Sequence, residues 1–170
     1  MPRIDFSKLP DHGRLWVFPA SRDLDAEARA ATLRVVDDFL DGWAAHGAPL
    51  RSGRELVEGR FLLVGVDVDA EAPSGCSIDA LVRRIREHGD AIDARFIDHA
   101  PIWYRDDQGV IKSVSRAAFR ALSEAGEVTA DTPVFDTSLT TLAALREGRL
   151  EGPARDSWHG RVYFREQVAG

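Results

Sequence analysis

RFLLVGVDV, residues 60–68, decides how the chain is read. Its apolar part, FLLVGV, shows no alternation with polar side chains and carries the β-branched Val64 and Val66. A strand buried on both faces has this composition, whereas a half-solvated strand alternates. The run stops at Asp67 and is far too short to cross a bilayer. It is expected to be the central strand of a sheet, joined to a second strand at 50–57 through Glu58-Gly59.

Upstream, 15–18 forms a short apolar strand that Pro19 stops. A helix is then expected over 25–45, because Leu33, Val36, Phe39, Leu40 and Trp43 recur at three- and four-residue spacing. Asp23 or Asp25 caps its start, and Gly47 ends it. Downstream, a loop at 69–75 leads to a second helix over 77–88, with Ile78, Leu81, Val82 and Ile85 inward and Gly89 closing it. Residues 95–104 and 110–114 read as a hairpin turning at 106–109. A helix from Ser115 to Gly126 turns Phe119 and Leu122 inward. A short strand at 132–135, a helix at 138–147 and a tail irregular from Gly152 until 161–164 complete the chain. The first elements run β-α-β-β-α-β, which suits an α+β, ferredoxin-like sandwich with an added C-terminal hairpin strand and helices. Residues 1–170 are read as a single α+β domain.

Composition narrows the function. The formal net charge of −6 repels phosphate backbones and disfavours nucleic acid as a partner. The positive charge is almost all Arg, with only Lys8 and Lys112 as lysines. The opening segment, MPRIDFSKLPDHGR, has no apolar stretch behind its first Arg, so no secretory signal is expected. The single Cys76 forms no internal disulfide, in keeping with a reducing cytoplasm.

Six phrases carry a resemblance that spans most of the chain: RLWVFPASR (14–22), WAAHG (43–47), RFLLVGVD (60–67), SGCSID (74–79), VFDTSL (134–139) and DSWHGR (156–161). Together they resemble a family of uncharacterised bacterial proteins of similar length, many labelled "ABC transporter ATPase". The resemblance implies no established activity. The label itself conflicts with the residues: a P-loop needs Gly-Lys followed by Ser or Thr, and here Ser7 precedes Lys8 and Ile111 precedes Lys112. The chain is not read as a P-loop ATPase.

Three constellations bear on chemistry. Cys76, after a buried strand and at a helix start, sits where amide dipoles favour a thiolate nucleophile. Asp79 opposes that, and a small Cys at such a place also serves as plain packing. A base for it is sought in His159, inside SWHGR, or in His46, at the end of the first helix, with Arg161 to hold an anionic group. For His46 the alternative is a helix-dipole contact, and for His159 that Trp158 anchors the tail and His159 follows. Asp67 and Asp69, two apart at a strand end, are candidate ligands for a hard cation, with a solvated strand end as the alternative. Arg14, Arg22, Arg60, Arg83 and Arg161 form an anion pocket only if they converge. His12 falls in a segment expected to be mobile, while His88 and His99 are expected at surface or strand positions. No complete catalytic or cofactor motif is present, so the default reading is a non-catalytic binding or interaction module for a small-molecule or protein partner. An enzyme built on Cys76 and a divalent-metal hydrolase built on Asp67 and Asp69 are the alternatives.

Overall fold

The structure, a computed structural model, describes residues 3–168. It is α+β. In chain order the elements are β1 (Arg14–Pro19), α1 (Ala26–Asp41), β2 (Ala44–Ala45), β3 (Ala48–Pro49), β4 (Ser52–Val57), β5 (Phe61–Val66) and α2 (Gly75–Ile92). There follow β6 (Ile102–Arg105), β7 (Ile111–Val114), α3 (Arg116–Glu124), β8 (Pro133–Phe135), α4 (Leu142–Arg146), β9 (Glu151–Pro153), α5 (Trp158–Tyr163) and α6 (Arg165–Val168). They divide into two compact units: Met1–Asp98 with Leu139–Arg146, and His99–Ser138 with Glu147–Gly170. Among the described residues no helix is long and apolar enough to cross a membrane.

In the first unit β5 lies between β1 and β4, antiparallel to both. All of FLLVGV is buried. Leu62, Val64 and Val66 share a core with Val36 and Leu40 of α1 and Leu81 and Ile85 of α2. A Cβ on Gly65 would come within 2.9 Å of Leu9 and 3.2 Å of Leu142 and Phe6. The other face is thus covered by a 3-10 turn at Phe6–Lys8, by Leu9 and by α4, which is why the strand carries no polar side chain. The β4–β5 turn is tight: Glu58 and Gly59 both have positive φ, as a short hairpin connection demands.

The helix boundaries differ from expectation. Asp25 caps α1, its side chain accepting from the amide of Ala28, but the helix stops at Asp41 rather than running to Ala45. Trp43 is still buried, beyond the helix end. His46 and Gly47, both at positive φ, turn the β2–β3 hairpin, so His46 is not at a helix end and the dipole reading for it fails. The second helix begins earlier, at Gly75, because Ser74 and Ser77 cap each other reciprocally. It also runs past Gly89, and Asp93 in the left-handed region ends it. Gly89 is needed for another reason: a Cβ there would lie 2.3 Å from the carbonyl oxygen of Ala94.

Residues 95–101 are not a strand. Only β6 forms from the expected 95–104 segment, and it pairs in the second unit, in a sheet of order β7-β6-β8-β9. Pro101, which has no amide hydrogen to donate, stands at its head. Phe119 is the pivot of this unit's core. It meets Tyr104, Tyr163 and Phe164 edge-on, with centroids 5.5, 4.9 and 6.1 Å away. The tail expected to be irregular holds β9, α5 and α6, and the helix expected over 138–147 shortens to α4.

Candidate functional site

The residues proposed to serve Cys76 are divided between the units. Cys76 and His46 belong to the first, His159 and Arg161 to the second. Cys76 lies in the first turn of α2 and is exposed, which corrects the reading of it as a packed small residue. The buried residue of that turn is its neighbour Ser77, whose carbonyl accepts the indole N–H of Trp43 at 2.8 Å. Among the described residues no hydrogen bond joins the thiol to the exposed His46.

His159 is almost wholly buried, at 1% exposure, while Trp158 is only half-buried. The anchor of the tail is therefore the imidazole, with the indole stacked 3.9 Å over it, the reverse of the order expected. Ser157 Oγ lies 2.7 Å from its Nδ1. Burial, with a smaller push from Arg116 and a smaller opposing pull from Asp136, drives its pKa down to about 4. At neutral pH it is an uncharged core group and a feeble proton acceptor. Arg161 is exposed on α5.

Within the first unit Arg14, Arg22, Arg60 and Arg83 do not share an anion pocket. Arg22 donates to the carbonyls of Ile92 and Asp93 and so finishes α2. Arg60, 4% exposed, donates to the carbonyl of Ala20 and to Asp23. Arg14 lies over the Trp16 ring, and Arg83 is exposed on α2. A cleft of about 690 Å³ lined by Arg3, Arg54 and Arg146 is charge-compensated in the same way. Arg54 forks onto Asp37 at 2.7 and 2.8 Å, Arg3 donates to Asp41, and Arg146 to Asp11. The Arg54 hydrogen bonds hold the Asp37 carboxyl below its usual range.

Ionisable groups do converge at the end of β5. The strand stops at Val66, and the Asp67 amide donates to the carbonyl of Arg51 at 2.8 Å. Asp67 Oδ1 then accepts the amide of Asp69 at 3.0 Å, an Asx turn that swings the second carboxylate back. The two carboxylates meet through this turn, beyond the end of the strand. His12 joins them. Its neighbours are clamped to the α4 segment, the Leu142 amide donating to the carbonyl of Gly13 and the Ala143 amide to that of Asp11. Gly13 has no room for a Cβ, which would fall 2.7 Å from both Leu142 and the Val66 carbonyl oxygen. His12 is thus held in an ordered turn rather than a mobile segment, and its Nε2 pairs with Asp69 Oδ2 at 2.5 Å.

One ligand atom from each of His12, Asp67 and Asp69 lies within 4.8 Å of the others. His12 and Asp69 are exposed and Asp67 is half-buried, so a bound ion would keep open positions for water. Arg51 Nε, 3.8 Å from the second Asp67 oxygen, is the nearby cation. An imidazole nitrogen with two carboxylate oxygens suits a borderline ion such as zinc or manganese better than calcium, which takes oxygen alone. No family model, curated protein or solved structure matches the chain.

Proposed function

We propose that the protein is a cytoplasmic binding module whose first unit takes up a divalent cation through His12, Asp67 and Asp69. The convergence of these three side chains within 4.8 Å carries the reading. A bound ion would stand between the His12 nitrogen and the Asp69 carboxylate and also meet Asp67. The reading treats the chain as a member of the bacterial family it resembles. It treats the first unit as a ferredoxin-like sandwich lacking its outer strand, supported by the antiparallel β1-β5-β4 order with two helices on one face. Thermal unfolding with and without excess manganese or zinc tests it. The melting temperature should rise with metal in the parent protein, and the rise should vanish in Asp69→Asn. No rise, or an equal rise in the variant, refutes the site. If metal binds, hydrolysis of a chromogenic phosphoester by the loaded protein would promote the module to the metal hydrolase of the sequence reading.

The exposure of Cys76 in the capped first turn of α2 favours a second reading, a thiol nucleophile. Its test is the pH profile of iodoacetamide alkylation of the folded protein. An apparent pKa well below about 8.5 supports the reading, and an ordinary profile removes it.

A further inference from the structure

We propose that the second unit binds an organic cation, an ammonium or guanidinium group on a short aliphatic chain, in the pocket between the β6–β7 turn and the end of α3. The pocket has a volume of about 470 Å³ and is walled by Leu122, Val128 and Pro133, a size suited to a small ligand. Three carboxylates line it, Asp106, Asp107 and Glu127, against one guanidinium, that of Arg105. The carboxyl end of α3 adds the negative pole of its dipole to the same wall.

Two cations are near, and both are accounted for. Arg105 lines the pocket, but its guanidinium forks onto Glu151 and donates to the carbonyl of Gly109. Lys112 lies 4.0 Å from one oxygen of Asp106. The other Asp106 oxygen accepts the amides of Gln108 and Val110, which fixes the turn. Asp107 and Glu127 remain as exposed acceptors facing solvent.

Tyr104 is the independent sign of a ligand. It is 8% exposed and lines the same pocket, with its ring held edge-on by Phe119. Its hydroxyl has no hydrogen-bond partner among the described residues. The phenol oxygen is not sealed in the core, since Ser52 Oγ is the buried side-chain atom left without a partner among the described residues. It opens to the pocket, where an N–H of a ligand can reach it. Burial, reinforced by Asp106 and Glu127, raises its pKa, so it stays a neutral hydroxyl able to accept an N–H. A single metal ion does not fit the arrangement: among the described residues, only His12, Asp67 and Asp69 bring three such ligands within reach of one ion. Separated acceptors around an apolar wall suit a group with several N–H donors on a carbon chain.

The test is calorimetric titration with agmatine and 1,4-diaminobutane, with butyrate as the anionic control, on the full chain carrying Asp69→Asn to silence the first unit's cluster. Saturable binding of a cationic probe, absent for butyrate, is expected. Glu127→Gln should weaken it about tenfold, and Tyr104→Phe by about three- to tenfold for one lost hydrogen bond. Lys112→Ala, an exposed change, should tighten it. No binding of either cationic probe overturns the proposal. So does an equal loss on Asp156→Asn, a carboxylate outside the pocket, because general attraction to an acidic protein would then explain the signal. Should Tyr104→Phe fail to fold, Glu127→Gln and Lys112→Ala decide alone: unchanged affinity in both overturns it.

Discussion

Each unit buries one imidazole, and the two are held differently. His88 in the first unit, 4% exposed, lies 2.8 Å from the Thr32 hydroxyl. That hydroxyl donates to the carbonyl of Ala28, so His88 must be the donor in their bond and carries its proton on Nε2. It closes a polar chain between α2 and α1 inside an apolar core. His159 in the second unit is instead stacked beneath Trp158 in a short helix, beside the core that centres on Phe119. The first unit is built on a continuous apolar strand that helices cover. The second is built on aromatic edges brought from distant parts of the chain.

That contrast predicts which substitutions cost most. Phe119→Ala removes the ring that three other aromatic side chains meet edge-on and should cost about 4–5 kcal/mol. Leu62→Ala, in a core shared with two helices, should cost about 3 kcal/mol. Urea unfolding of both variants measures the order, and a larger loss for Leu62→Ala would break the comparison.

The buried imidazoles set the next effect. Their folded pKa values lie below the ordinary 6.5, so the unfolded chain takes the proton first as pH falls. The stability they contribute is complete above pH 6.5, and for His159 it is lost progressively down to about pH 4. His159 alone should account for about 3 kcal/mol over that window. His88 acts in the same direction, because burial, aided by Arg84, lowers it too. Stability measured from pH 7.5 to 4 should fall in the parent and fall less in His159→Gln. An identical slope in the variant would deny the second unit its neutral core imidazole.

The smallest effect sharpens the first unit. Ser52 Oγ is fully buried with no hydrogen-bond partner in the described structure. Ser52→Ala gives up no bond and should leave stability unchanged or raise it by up to about 1 kcal/mol. A clear loss would mean that the hydroxyl has a partner.

The same contrast explains what could be read from the sequence. FLLVGV declared a strand covered on both faces, and the spacing of Val36 and Leu40 declared the helix beneath it, because both signals are local and periodic. The end of α2 is not legible, because Gly89 looks like a stop but serves a close approach to the Ala94 carbonyl. The tail's helices are not legible as such, because helices as short as α5 and α6 complete too little of a turn pattern to show one. Phe119, Tyr163 and Phe164 form one cluster from far-apart positions, which periodicity does not report. At the candidate site the pairing of Asp67 with Asp69 is legible in the sequence, but the Asx turn that brings them together is not. Nor is His12, separated from Asp69 by 57 positions, since α4 positions it through backbone hydrogen bonds.

Manganese broadening of backbone amide resonances tests the central claim most directly, because the paramagnetic ion marks its own location. Substoichiometric manganese should broaden the amides around His12 and Asp67–Asp69 first, and Asp69→Asn should abolish the effect while leaving the spectrum otherwise intact. Broadening scattered over many surface carboxylates, or none at these residues, would contradict the cation site.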